Sequence, residues 1–370
     1  MESTTKIGTI EAIFLVCIAL INHLISNLPK IVFNISGSAS VLNMLYLFVL
    51  IGLLTILFLR LFRPFKNKDI IDIAEFLGGK ILKILLGILY LIFFLAMAGI
   101  ILRTFADGIH LTYFPNVPIA LFLLFFIIAV VVATNYHNKA ITRCNLIITP
   151  IMIVSLIIPL LVVNDNFAIE RIFPLFGYGL NETFFYGATN IFVFAGLSFL
   201  FFIQPLLKKE KDFKKVTLWS ISLCGALLFF SIVSLLCSLP FVFNIEELSP
   251  IYLLVRSLNL GNFFQRPEAL FSLIWILAII SFVSICVMFS TIIFQKIATL
   301  NKGKPLSACF SGFVFLIAFL PQNMSQVNFL EATVYKYYSI ALVFFISFGI
   351  LILAYFKNKR LEKRREQTKS

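Results

Sequence analysis

Residues 117–136 read VPIALFLLFFIIAVVVATNY, twenty positions without one charged side chain. A helix rises 1.5 Å per residue, so about twenty residues cross a hydrocarbon core about 30 Å thick. Nine stretches of similar length and character fill most of the remaining chain: residues 8–28, 40–60, 82–106, 144–163, 184–205, 216–240, 267–292, 306–321 and 337–356. All are continuously apolar. A membrane barrel would alternate over segments of about ten residues, so helices are predicted. The predicted fold class is an all-α polytopic membrane protein with about ten transmembrane helices. Composition agrees: 61% of residues are hydrophobic and 13% charged, against about 25% charged in soluble domains. Mean hydropathy is +1.03. A soluble protein this apolar would expose large adhesive patches.

The charge follows the spans. With the N-terminus placed inside, 24 of the 30 lysines and arginines fall in inner segments, chiefly residues 60–68, 80–83, 208–215 and 357–369. Lys30, Arg103, Arg171, Arg256, Arg266 and Lys336 remain outside. Basic loops stay in the cytoplasm, so both termini are predicted there. This orientation accounts for the net charge of +13 without nucleic acid, and none is expected as a partner. The tail 357–370 is expected to rest on anionic lipid, each base contributing about 1 kcal/mol.

Glu2 and a lone Lys6 precede the first span, which ends at Ser26-Asn27-Leu28-Pro29-Lys30. No small-residue cleavage site follows, so a retained anchor is predicted. The 6 cysteines lie in or beside spans and form no CxxC pair, which argues against a disulfide framework or a zinc site. The longest loops, 164–183 and 241–266, are too short for a core of their own. Residues 1–370 are therefore read as a single transmembrane domain. No Walker or GxGxxG pattern occurs, so no cofactor and no nucleotide-driven pumping are predicted. His23, His110 and His137 sit on different spans and sides, with no HExxH and no paired carboxylates. No catalytic or metal site is predicted, and the chain is not read as an enzyme.

Polar atoms inside hydrocarbon cost free energy and mark packing seams or ligand paths. The first span carries Asn22, His23 and Ser26 in its second half. They predict either a ligand site at an interrupted helix or interhelical hydrogen bonds worth about 0.6 kcal/mol each. The sixth span reads Gly187-Ala188-Thr189-Asn190-Ile191-Phe192-Val193-Phe194-Ala195-Gly196-Leu197-Ser198. Here Asn190, Phe194, Ala195, Gly196 and Ser198 predict a helix break that frees backbone dipoles for a zwitterion, or close packing through small residues. Arg103 and Asp107, four apart, form a gate latch or a plain ion pair. Arg266 and Glu268 open the eighth span, where an acid in the first turn suits the helix dipole. Ser281 and Ser284 either face a cavity or bond their own helix. No acid falls in mid-span: Asp107 and Glu268 lie near span ends. The two most polar spans, one and six, are five apart in ten. That spacing predicts a five-plus-five inverted repeat, with repeat one at about 8–163, repeat two at about 184–356, and a basic cytoplasmic tail at 357–370.

At these residues the chain resembles the amino acid–polyamine–organocation superfamily, and within it the B subunit of Ger-type spore germinant receptors. The stretch 190–196 is similar to the superfamily's aromatic-rich sixth-helix break, and Leu28-Pro29 to the end of its first helix. Arg266-Pro267-Glu268-Ala269-Leu270-Phe271 with Trp275 resembles the opening of the eighth helix in those subunits. Pro205 followed by a basic loop fits as well. The first span has no glycine at 22–26, and Leu197 stands where B subunits often carry an acid. The resemblance implies a LeuT-like fold and a ligand site between helices one, three, six and eight. It also implies a role as transporter-like nutrient germinant receptor subunit, binding a small-molecule germinant such as an amino acid. The implied partners are A and C receptor subunits, and the implied place is the spore inner membrane. The alternative is an ion-coupled amino acid permease. The absence of a mid-span acid favours sensing over proton-coupled uptake.

Overall fold

The computed structural model describes residues 6–25, 28–136, 138–162, 167–239, 249–258, 266–300 and 304–367. Among them, 7 helices are long and apolar enough to cross a membrane, and Thr9–Leu24, Ile119–Asn135 and Leu306–Phe319 are shorter apolar helices. Together they match the ten spans expected. On α5 (Ile119–Asn135), Leu121, Leu124, Phe125, Ile128 and Val132 are all exposed. Their spacing puts them on one helical face, the pattern of a surface solvated by lipid.

The first span holds α1 (Thr9–Ile25), and α2 (Leu28–Ser36) lies beyond residues 26 and 27. Leu28-Pro29, expected to end the first helix, lies instead in helical α2, which runs on to Ser36. Gly37, at φ +59°, ends α2 in the left-handed region that favours glycine. Ser26 lies outside the described residues, as does His137.

The remaining units follow as α3 (Ser40–Phe62), α4 (Ile70–Tyr113), α5, α6 (Asn138–Leu161), α7 (Asn181–Leu206), α8 (Phe213–Ser238) and the short α9 (Pro250–Arg256). Then come α10 (Pro267–Ala298), α11 (Lys304–Phe319) and α12 (Met324–Gln367). Two boundaries differ from the sequence reading. α4 begins at Ile70 and bends at Gly78 and Gly79, the latter at φ +69°. α12 begins at Met324, well before residue 337, because polar Asn328, Glu331 and Lys336 interrupt its apolar run. Glu331 and Lys336 are buried in the bundle. In its interior α4 packs against α10, and an aromatic cluster joins them to α7. Phe94 lies 4.7 Å from Phe199, which lies 5.2 Å from Phe289.

The base-rich end of the bundle is tied shut. Ile7 donates to Leu206 O at 2.7 Å and accepts from Lys208 N–H at 3.0 Å, fastening the start of α1 to the end of α7. Thr9 Oγ1 donates to Asp212 at 2.7 Å. Lys296 at the end of α10 reaches Asp69 at 2.5 Å and Asp72 at 2.6 Å. Lys357 of α12 donates to Phe76 O at 2.7 Å and Leu77 O at 3.0 Å, capping carbonyls next to the glycine bend.

Burial pushes the Asp69 carboxyl up to about 6, against the pull of Lys296 and with the push of Asp72. One ammonium shared by two carboxylates leaves a net negative charge beside the buried Asp69 carboxyl. A carboxyl raised in the folded state contributes less stability as pH climbs from its unfolded value to about 6. Asp69→Asn keeps an oxygen to accept the Asp72 N–H, now bonded at 3.0 Å. The variant is expected to gain stability over the parent as pH rises from 4 to 6, read by thermal unfolding in detergent. Parallel profiles for the two proteins would contradict this account.

Candidate functional site

The last turn of α1 ends in a buried polar pair. Asn22 Nδ2 donates back to Ile18 O at 2.6 Å, while its Oδ1 finds no partner among the described residues. His23 is buried against α12, its ring stacked on Tyr335 at 5.6 Å with 20° between planes. Tyr335 Oη and His23 Nε2 lie 3.2 Å apart. Phe93 of α4 stacks on the same tyrosine at 5.8 Å, and Phe282 of α10 meets His23 edge-on at 6.3 Å. Spans one, three, eight and ten thus meet at the stacked His23–Tyr335 pair. Tyr335→Phe should cost about 0.5–1.5 kcal/mol, the net worth of one hydrogen bond. Tyr335→Ala also empties the stack and should cost about 3–5 kcal/mol. Chemical unfolding of the two variants in micelles separates them; equal losses would deny the ring its role.

α7 is helical throughout but irregular. Residues Asn181–Tyr186 are π-helical and Gly187–Phe199 form a 3-10 helix of 13 residues. Runs of 3-10 helix beyond three or four residues are uncommon and mark hinges or strain. Phe194 departs from helical geometry at φ −93°, ψ 15°. The break expected in this span is therefore a kink. Small residues allow it: a Cβ at Gly196 would sit 2.9 Å from Leu20 Cδ2 and 3.2 Å from the Ala19 carbonyl carbon. Hence α1 and α7 touch backbone to backbone at Gly196, beside buried Ala195 and Phe194. Asn190 Nδ2 donates to Asn43 Oδ1 at 2.9 Å, and Asn43 Nδ2 to Thr183 O at 2.8 Å, so Asn190 ties α7 to α3. Ser198 Oγ is buried with no partner among the described residues.

The other expected residues are spread more widely. Ser281 donates to Asn145 of α6, while Ser284 bonds back to Ile280 O at 2.7 Å. Arg103 pairs with Asp107 at 2.9 Å and donates to Ala318 O of α11 at 3.0 Å. Arg266 meets Glu268 at 3.2 Å at the other end of the bundle from the base-rich ties. The Glu268 carbonyl there accepts from Tyr113 of α4 at 3.0 Å. Asn22, His23 and Gly196 thus share the α1 seam; Arg103, Asp107, Arg266 and Glu268 stand apart from it.

Sequence reasoning missed the first part of α12, before residue 337. Glu331 is 1% exposed and Lys336 4% exposed, roughly 10 and 18 Å below the helix start at 1.5 Å per residue. Lys336 Nζ lies 5.7 Å from the ring centroids of Phe192 and Tyr337, and it forms no ion pair among the described residues. A charge at the bilayer centre costs about 2.5–3.5 kcal/mol on insertion scales. A cation–π contact returns about 0.5–2 kcal/mol. Part of the cost stands unmet. The signal available was spacing: Glu331 and Lys336 each fall three to five residues from apolar positions that continue the run backwards.

An apolar hollow of 460 Å³ lies between α6, α9 and α10, lined by Pro150, Ser155, Pro159, Val255, Leu258 and Phe271. Ligand pockets of this size carry several convergent polar groups. One serine hydroxyl does not select a polar ligand.

Comparison with known proteins adds four findings. A family profile described as spore germination protein matches residues 6–327. Spore germination protein B2 of Bacillus subtilis (strain 168) is 20% identical over 235 residues, 64% of this chain and 63% of that protein. Spore germination protein YndE of the same organism is 22% identical over 368 residues, 97% of this chain and 99% of its own. Among solved structures, a Na+-coupled sialic acid symporter in a substrate-bound outward-open state superposes with a TM-score of 0.64 at 12% identity. The superposition covers 92% of this chain and 79% of the symporter. At that identity the likeness concerns fold: the LeuT-like, five-plus-five helical arrangement.

Proposed function

Because the chain belongs to the spore germination protein family, we propose that it is the transporter-like membrane subunit of a nutrient germinant receptor, binding a small metabolite of the amino acid class. Family and fold together indicate a transporter or receptor and not an enzyme. The observation that carries the reading is the seam at α1, α7 and α12: a kinked 3-10 segment touching α1 backbone to backbone, beside a buried polar cluster of Asn22, His23 and Tyr335. Irregular helices in the bundle interior hold ligands in transporter folds.

In this reading both termini are cytoplasmic, and the base-rich ties hold the inner end closed while ligand enters from outside. Ligand then biases a rocking equilibrium between two repeats, and A and C subunits in the spore inner membrane read the outcome. A ligand shifts such an equilibrium only by its differential affinity. Moving it from 1:99 to 99:1 takes about 10⁴-fold, near 5.5 kcal/mol. Spores deleted for this chain, and for any receptor that substitutes for it, are expected to lose germination on one nutrient class and regain it on complementation. Unchanged germination on every amino acid and sugar would end the proposal.

One observation favours the alternative, an ion-coupled amino acid permease. The sequence reading found no acid in mid-span; Glu331 is an acid buried inside α12. Coupling in such folds commonly uses an intramembrane carboxylate. Uptake of radiolabelled amino acids into proteoliposomes against a gradient, abolished in Glu331→Gln, would favour the permease. Binding without accumulation favours the receptor.

A further inference from the structure

Lys336 is the buried charge that the reading above leaves without a task. Two lysine or arginine side chains are buried in the described bundle: Arg103 and Lys336. Arg103 is satisfied by Asp107 and the Ala318 carbonyl. Among the described residues Lys336 Nζ meets ring faces, Phe192 and Tyr337, each 5.7 Å away. An ammonium carries three N–H donors, and ring faces neutralise none of its charge.

Its position is as telling as its isolation. Phe192 stands two residues before the kink at Phe194. The preceding residue, Tyr335, stacks on His23 in the last turn of α1. Neighbouring residues of α12 therefore touch both α1 and the kinked α7. That turn, Lys336–Ser339, is flanked by π-helical segments at Leu330–Tyr335 and Ile340–Ile346. It is an under-wound helix facing the over-wound α7, and π segments gather at functional sites.

We propose that Lys336 is the carboxylate-binding residue of the ligand site, its ammonium receiving the anionic group of a small amino-acid-like ligand between α7 and α12. The inference deepens the metabolite-binding reading and rests on it. Charge selects the anionic group the lysine receives: one buried lysine neutralises one carboxylate, whereas a phosphate would leave an uncompensated negative charge; the ligand's amine takes acceptors of its own. A charge-assisted hydrogen bond in a dry site is among the stronger polar contacts.

The test uses the full chain in lipid nanodiscs. Each of the twenty standard amino acids is titrated by calorimetry, and every binder is repeated as its amide, which keeps the amine and side chain and removes the anion. The parent is expected to bind the acid at least about tenfold more tightly than the amide. Lys336→Met and Lys336→Gln should bind the acid at least tenfold more weakly and treat acid and amide alike within about twofold. Lys336→Arg should keep part of the preference. An amide that binds the parent as tightly as the acid overturns the proposal, whatever the variants do. So does full discrimination in a monodisperse Lys336→Met protein, which would leave the residue a packing role against Phe192. Failure of the parent to bind any amino acid would instead overturn the ligand class under the proposed function.

Discussion

Arg103→Ala is expected to destabilise the folded chain by about 3–5 kcal/mol, the usual loss when one partner of a buried ion pair is removed. The side chains of Arg103 and Asp107 are only 5% and 10% exposed. Coulomb attraction therefore acts with little solvent screening, and truncation strands a carboxylate in the bundle. The guanidinium also donates to Ala318 O, so alanine removes a tie between α4 and α11 as well. Arg103→Lys should recover less than half of the loss, because one ammonium cannot reproduce the planar fork that serves both acceptors. Arg103→Ala with Asp107→Ala should be more stable than Arg103→Ala alone, since no charge is left unpaired. A denaturant series in micelles reads these proteins together with Asp107→Ala, with a coupling of about 0.5–3 kcal/mol expected between the two sites. A single variant within about 1 kcal/mol of the parent would mean that water reaches the pair. The residues sit apart from the α1 seam, so ligand affinity should change far less than stability.

Ten spans were legible because hydrocarbon thickness sets the length of an apolar run, and runs such as 117–136 carry no competing signal. Boundaries were less legible where polar side chains are buried by other helices and not by water. Glu331 and Lys336 made the start of α12 look like a loop; the arm of α4 before Gly78 looked like one because half-buried Asp72 and exposed Glu75 interrupt its apolar run. Leu28-Pro29 misled in another way: it reads as a helix stop, yet residues 28–36 are helical. At the site, His23 and Gly196 were visible as a polar and a small residue where neither is expected in lipid. Their partners were not. Tyr335 and Phe93 are ordinary aromatic residues in a chain holding 44 phenylalanines, and only the fold brings them to His23. Asn190 was read as a ligand contact or a packing polar group. Its bond to Asn43 depends on the crossing of α3 and α7, which no local pattern encodes.

That dependence on crossing geometry makes Gly196 the most sensitive point of the seam. Two effects oppose each other there. Alanine gains about 1 kcal/mol of helix propensity over glycine, yet its Cβ would lie 2.9 Å from Leu20 Cδ2 and 3.2 Å from the Ala19 carbonyl carbon. The leucine side chain can turn aside; the α1 backbone cannot. Gly196→Ala is therefore expected to fall near neutral. Gly196→Leu has no such escape, because overpacking a tight interface costs about 1–3 kcal/mol and moves the backbone. The elements forced apart would be α1 and α7, which frame the proposed ligand. Ligand affinity in nanodiscs should fall at least about tenfold in Gly196→Leu, with Gly196→Val between it and alanine. Membrane insertion and monodispersity should be unchanged, since lipid-facing surfaces such as that of α5 are untouched. If Gly196→Leu binds ligand like the parent across a full titration, the contact between α1 and α7 does not form part of the binding site.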